Sequence, residues 1–206
     1  MSRLVTTPLT IGEAKVFVQK HHEHHYPPES ALFAVGVSAC PHPERCPRSA
    51  EGVLQCPPRG LSLRCVAMIG RPVARVLDQR GNVAELTRCA SDRTPHAASK
   101  TIAAASRMAL AGGYTRLVSY TILGETGASY VAAGWWITGL VHRPDGWDSR
   151  PGRDDFGQRG CKVRWEFGPE ALPADGAAAL VVGFAAGVVD VPDRSEKLPL
   201  LRLMPG

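Results

Sequence analysis

The sequence predicts an α/β chain built on one mixed central sheet with helices on both faces. Three observations predict it. Short runs rich in apolar and β-branched residues recur between residues 4 and 167. An Ala-rich stretch with helical spacing lies between two of those runs, as in a strand–helix–strand crossover. Other runs follow one another with no helix between them, as in a meander.

Taken in order, residues 4–11 alternate loosely and read as a first strand. Residues 12–21 read as a helix, with Ala14, Phe17 and Val18 at helical spacing. Pro27 and Pro28 stop it after the histidine-rich HHEHHY. Residues 31–39 form a strand, and 61–69 the return strand of a hairpin, with 73–77 as its extension beyond a bend at 70–72. Between them, 40–60 is a Cys- and Pro-rich inserted loop. After a turn at 78–82, residues 83–89 are a strand and 91–98 a turn. Thr94 is expected as the N-cap and Pro95 as the first helical residue. This helix runs to about 111, ended by Gly112-Gly113. Strand 116–121, a short helix 125–133 ended by Gly134, and strand 135–141 follow. Residues 144–160 read as a polar loop and 161–167 as the last strand. The reading divides the chain into a domain over 1–168 and an appendage over 169–206.

Composition sets outer bounds. With 206 residues, 44% of them hydrophobic, the chain can bury one sizeable core. No run of 18 apolar residues occurs, and the first residues lack a signal-peptide pattern. A cytoplasmic location with no membrane partner is therefore expected. A net charge of +5 permits a phosphate-bearing partner such as nucleic acid or coenzyme A, and equally suits an ordinary basic surface. Six cysteines without an export signal argue for reduced thiols or a metal site.

The element order, together with Tyr130-Val131-Ala132-Ala133-Gly134-Trp135, resembles the GNAT acetyltransferase superfamily. The resemblance implies a GNAT-like fold and transfer of an acyl group to an amine acceptor, with acetyl-CoA or another acyl-CoA as donor. It implies that Tyr130 protonates the departing thiolate, and that the helix beginning near Pro95 receives the coenzyme pyrophosphate. The family usually opens that helix with glycines; here the segment is Arg93-Thr94-Pro95-His96-Ala97-Ala98. The backbone N–H groups of His96, Ala97 and Ala98, with the Thr94 and Ser99 hydroxyls, are the groups left to hold an anion. The missing glycines also fit a non-catalytic shell of the same fold. Within the superfamily, HHEHHYPP, Glu85-Leu86-Thr87-Arg88 and Tyr120-Thr121 resemble a phage- and plasmid-associated group distantly similar to the phage Mu Mom proteins. That likeness implies modification of adenine in DNA, with His25-Tyr26 as its main point.

Several residue types carry chemistry on their own account. Glu85, charged within an apolar strand, is a candidate general base, or else the partner of Arg75 or Arg116. Strand alternation places Glu85 and Arg88, three apart, on opposite faces. His22 and His25 are candidate proton acceptors, and His21, His24, Tyr26 and Arg88 candidate acceptor-binding residues. The alternative for the histidines is a solvated helix end. Tyr120 and Thr121 either line the donor channel or cap a strand in the core, and Tyr130 is either an acid or a core tyrosine under Trp135. Cys40, His42, Cys46 and Cys56 offer four soft ligands to a zinc ion, in a spacing that matches no strong zinc pattern. Cys65, Cys89 and Cys161 read as small buried hydrophobes. Trp147 with Arg143, Arg150, Arg153 and Arg159 makes a basic loop able to grip phosphates, diluted by Asp145, Asp148, Asp154 and Asp155.

Overall fold

The computed structural model describes residues 3–22, 26–46, 61–143 and 160–171. The elements are β1 (Arg3–Leu9), α1 (Ile11–His21), β2 (Phe33–Cys40), β3 (Ser62–Gly70), α2 (Arg75–Asp78), β4 (Val83–Ser91), α3 (Ala97–Ala111), β5 (Arg116–Ile122), α4 (Ala128–Ala132), β6 (Trp136–Arg143) and β7 (Gly160–Phe167), with a 3-10 turn at Pro43–Arg45. They form one seven-stranded sheet in the order β1-β2-β3-β4-β5-β7-β6. Every neighbouring pair is antiparallel except β4 with β5, which is parallel. The mixed sheet with helices is the α/β arrangement the sequence predicts.

Strand alternation puts two cores on opposite faces. Val35, Ala67 and Ile69 point to α3, where they meet Ile102, Ala105 and Ala109. Their neighbours Ala34, Val66 and Met68 point to α1 and meet Ala14, Phe17 and Val18. Alanines on the inner face of α3 let the helix lie close to the sheet. Helix α1 starts at Thr10, whose hydroxyl accepts from the Glu13 N–H while the Glu13 carboxylate accepts from the Thr10 N–H, a reciprocal cap.

Three expectations fail locally. Residues 73–77 do not extend β3; they lead into α2. Pro72 has no N–H to give a ladder, and the chain turns away after Gly70. The N–H of Val73 instead donates to Glu85 Oε2 at 2.8 Å. Thr94 does not cap α3. The cap is His96, at φ 63°, and the helix begins at Ala97. A left-handed His96 cannot lie inside the helix, so the helix starts only after it. Finally α4 starts at Ala128, because Gly127 is left-handed and Glu125 closes a turn by accepting from the Ile122 N–H.

Candidate active site

The sheet opens between β4 and β5. The two strands pair only over Val83–Arg116, Ala84–Leu117 and Glu85–Val118, then part. At the parting, Ser119 Oγ donates to the Leu86 carbonyl at 2.9 Å, so a side chain replaces the next ladder bond. Beyond it lies a cavity of about 590 Å³ lined by residues of β4, β5, α4 and the segment after α1.

A bulge in β4 reshapes one wall. Ile69 faces Leu86 and Met68 faces Arg88, so Thr87 is the extra residue. The bulge restores one face to residues three apart: Leu86 and Cys89 both pack toward the α3 core. Glu85 and Arg88 therefore share the opposite face, and both line the cavity. The expectation that they point apart holds for a regular strand and fails at this bulge.

Glu85 is buried, and burial raises its pKa against the pull of the Val73 N–H and the charges of Arg88 and Lys162. It does not pair with Arg116, which forms a two-pronged bond to Glu166 with both distances 2.7 Å. Arg88 is half-buried; its Nε donates to the Tyr26 carbonyl at 2.9 Å and its Nη1 to the Thr87 carbonyl at 2.6 Å.

Tyr130 also lines the cavity and belongs to the core. Its ring stacks on Trp165 and meets Trp135 edge-on, at centroid distances of 5.2 and 5.4 Å. Its hydroxyl lies 2.8 Å from Ser119 Oγ. Because the Ser119 hydrogen goes to Leu86, the phenol is the donor in that pair. Burial raises the Tyr130 pKa strongly, so the phenol keeps its proton. Tyr120 and Thr121 line the cavity too, though the Thr121 hydroxyl is spent accepting from Trp165 Nε1 at 2.9 Å.

The loop before α3 reaches its turn without glycine. Arg93 and His96 both adopt left-handed backbone, at φ 71° and 63°. Such conformations cost non-glycine residues about 1–3 kcal/mol and persist where surroundings over-determine them. Here Asp92 does so: its Oδ1 accepts from the Thr94 N–H at 2.9 Å, and its Oδ2 pairs with Arg64 at 3.0 Å. The Ala97 N–H, expected to be open, is taken by the Thr94 carbonyl at 3.1 Å. Among the described residues, the N–H groups of Ala98 and Ser99 meet no backbone acceptor, and the Ser99 hydroxyl donates to the His96 carbonyl. Of this loop and first turn, only Ala98 lines the cavity; Thr94, His96, Ala97 and Ser99 do not.

The histidines divide. His22 caps α1 and lines the cavity, as does the exposed Tyr26. His21 turns aside and stacks on Phe17 at 4.3 Å. Helix α1 ends at His21; His24 and His25 lie outside the described residues. Cys40 and Cys46 have their sulfurs 3.5 Å apart, and Cys46 Sγ donates to the His42 carbonyl rather than to its ring. Cys56 and Trp147 are outside the described residues, and among those described no group of three or more His, Cys, Asp or Glu is placed to hold a metal ion. Cys65 is buried as expected, whereas Cys89, 3.8 Å from it, is only partly so and lines the cavity.

Sequence reasoning missed Ser119, Lys162 and Cys89 in the cavity wall. A polar Ser119 between Val118 and Tyr120 in an apolar strand was the readable sign of the first. Lys162 reaches the site through the pairing of β7 with β5, which no local pattern announces.

No protein-family model matches the chain, and no curated protein matches it. Solved structures do. A putative acetyltransferase from Acinetobacter baylyi ADP1 is 11% identical, with a TM-score of 0.52, over 83% of this chain and 94% of that one. An N-acetyltransferase from Staphylococcus aureus Mu50 is 12% identical, with a TM-score of 0.51, over 81% and 99%. A polyamine N-acetyltransferase from Drosophila melanogaster is 10% identical, with a TM-score of 0.50, over 81% and 100%. At these identities the likeness speaks of architecture, and the architecture of this chain is the GNAT acetyltransferase fold.

Proposed function

We propose that the protein is an N-acyltransferase that moves an acyl group from a coenzyme A thioester to an amine. One observation carries the reading: one cavity, opened where β4 and β5 part, is lined by both a buried carboxylate, Glu85, and a buried phenol, Tyr130. The structural neighbours that are N-acetyltransferases, the Drosophila polyamine enzyme among them, support it at the level of fold.

The acyl thioester supplies an activated carbonyl carbon. Glu85, made more basic by burial, takes a proton from the acceptor amine as nitrogen bonds to that carbon. The carbon–sulfur bond breaks with its electron pair on sulfur. Tyr130 hydrogen-bonds that sulfur once its O–H turns from Ser119. Its raised pKa suits hydrogen-bond donation to a thiolate better than outright loss of the proton. The open N–H groups at the start of α3 suit an anionic end of the donor. The DNA-modification reading rests on HHEHHYPP, Glu85-Leu86-Thr87-Arg88 and Tyr120-Thr121, with His25-Tyr26 as its main point; His25 is outside the described residues, and the structural neighbours do not support that reading.

Titration calorimetry with acetyl-CoA, followed by thiol release with an amine panel, tests the proposal. Micromolar donor binding and amine-dependent thiol release are expected. Absence of binding at millimolar acetyl-CoA would leave the non-catalytic shell as the better reading.

A further inference from the structure

The cavity wall contains a charge that the acyl-transfer reading does not use. Arg88 presents a half-buried guanidinium to the cavity. Two of its N–H groups are spent on neutral carbonyls, those of Tyr26 and Thr87, which orient the side chain without cancelling its charge. Among the described residues it makes no ion pair. Glu85 feels its charge from the same wall but does not bond it, so the guanidinium keeps N–H groups with which to grip a ligand anion. The bulge at Thr87 is what sets Arg88 beside the carboxylate of Glu85 on one face. Two residues of one strand face are on the order of 7 Å apart. Lys162 adds a second positive charge to the same wall, while Glu125 lies at the β5–α4 turn.

We propose that the acceptor is an amine whose own molecule carries an anion, a carboxylate or a phosphate, gripped by Arg88 while Glu85 faces the amine. The inference rests on the acyl-transfer reading for its amine, and it narrows that amine to amino acids and aminoalkyl phosphates. A planar guanidinium fork matches either oxyanion with two parallel hydrogen bonds, whereas it repels a cationic polyamine and finds only one oxygen on an amide. The carboxylate or phosphate sets the molecule's register on β4, and the amine then falls at Glu85, a few bonds away.

Binding of the acylated product reads this without any need for turnover. The probes are the N-acetyl derivatives of the protein amino acids and of short aminoalkyl phosphates, each beside its neutral partner, the amide or the alcohol. Calorimetry on the full chain should show at least one acid or phosphate bound tenfold or more tightly than its neutral partner. Arg88→Gln should weaken the anionic ligand at least tenfold more than the neutral one, and Arg88→Lys, which keeps the charge but not the fork, should fall between. The carboxylate and phosphate arms separate the two sources of anion. Equal binding of charged and neutral partners, no binding of any probe, or an unchanged ratio in Arg88→Gln overturns the inference, whatever the transfer assay gives. Charge-dependent product binding without any acetyl-CoA binding or consumption would uphold the anion site and overturn acyl transfer.

Discussion

At the scale of the residue, Glu85 and Tyr130 show how environment sets chemistry. Burial is the larger influence on Glu85 and raises its pKa, whereas in the unfolded chain the same carboxyl ionises at its ordinary value. The native state therefore holds the proton more tightly. Stability from this group is complete below the unfolded pKa and is lost as pH rises through the folded one. Glu85→Gln, which can still accept from Val73, is expected to raise the thermal midpoint at neutral pH, with the gap closing toward acid; melting curves across pH check this. The same substitution is expected to lower kcat by about 10²-fold or more, and to abolish an acidic limb of kcat/KM lying above the ordinary carboxylate range. Tyr130→Phe removes the donor to sulfur. An expected fall in kcat of about 10²-fold, with the KM for the acyl donor nearly unchanged, is read by steady-state kinetics. Stability should shift by no more than ~1 kcal/mol, since Ser119 keeps its bond to Leu86. Unchanged kcat would remove Tyr130 from the reaction. Glu85 and Tyr130 were legible because a charge within an apolar strand and a Tyr four residues before Gly-Trp are local patterns. Ser119 was harder to read, because its role exists only when β4 and β5 lie side by side.

Among the elements, turns decide more than helices. Helix α4 brings Tyr130 to the cavity, and its start depends on Gly127 at φ 61°. A Cβ there would collide with the Trp165 ring, on which Tyr130 itself stacks. Gly127→Ala is expected to destabilise by about 1–3 kcal/mol from overpacking, with a further cost from the left-handed backbone. Denaturant midpoints measure it, and a neutral result would mean that α4 can shift freely. The start of α3 makes the complementary point. Its position was misjudged because Thr94-Pro95 is a fair local cap-and-first-turn pattern. Asp92, held by Arg64 from β3, turns the chain differently and delays the helix to Ala97. The bulge at Thr87 was equally invisible, since it is a property of the β3–β4 pair and not of β4 alone.

For the whole molecule, the question is what holds the two halves of an opened sheet together. Strands β4 and β5 share only a short ladder; the core around α3 joins the halves, packing Leu117, Tyr130 and Trp165 with Leu86 and Ile102, while Glu166 braces the far half, β5-β7-β6, from within. Glu166 is 1% exposed and accepts from Arg116 of β5 and Arg164 of β7, each at 2.7 Å. Glu166→Ala would strand two guanidinium groups in a partly buried site. A loss of about 3–5 kcal/mol in denaturant unfolding is expected. A loss below 1 kcal/mol would show that the Glu166 pairs contribute little beside the pairing and core packing of this half. Among the described residues, no helix is long and apolar enough to cross a membrane.

The sequence by itself determined the order of strands and main helices, the closely packing inner face of α3, and the identity of Glu85, Arg88, His22, Tyr120 and Tyr130 as residues worth watching. Those are consequences of periodicity and of charged or aromatic residues standing out in apolar runs, which are local. Only the tertiary structure decided that β4 and β5 part after Glu85, that a bulge turns Arg88 onto the face of Glu85, and that His21 faces away while His22 faces in. Each depends on which backbone groups find partners on a neighbouring strand, and a ladder bond made or lost between segments tens of residues apart leaves no periodicity to read in either one.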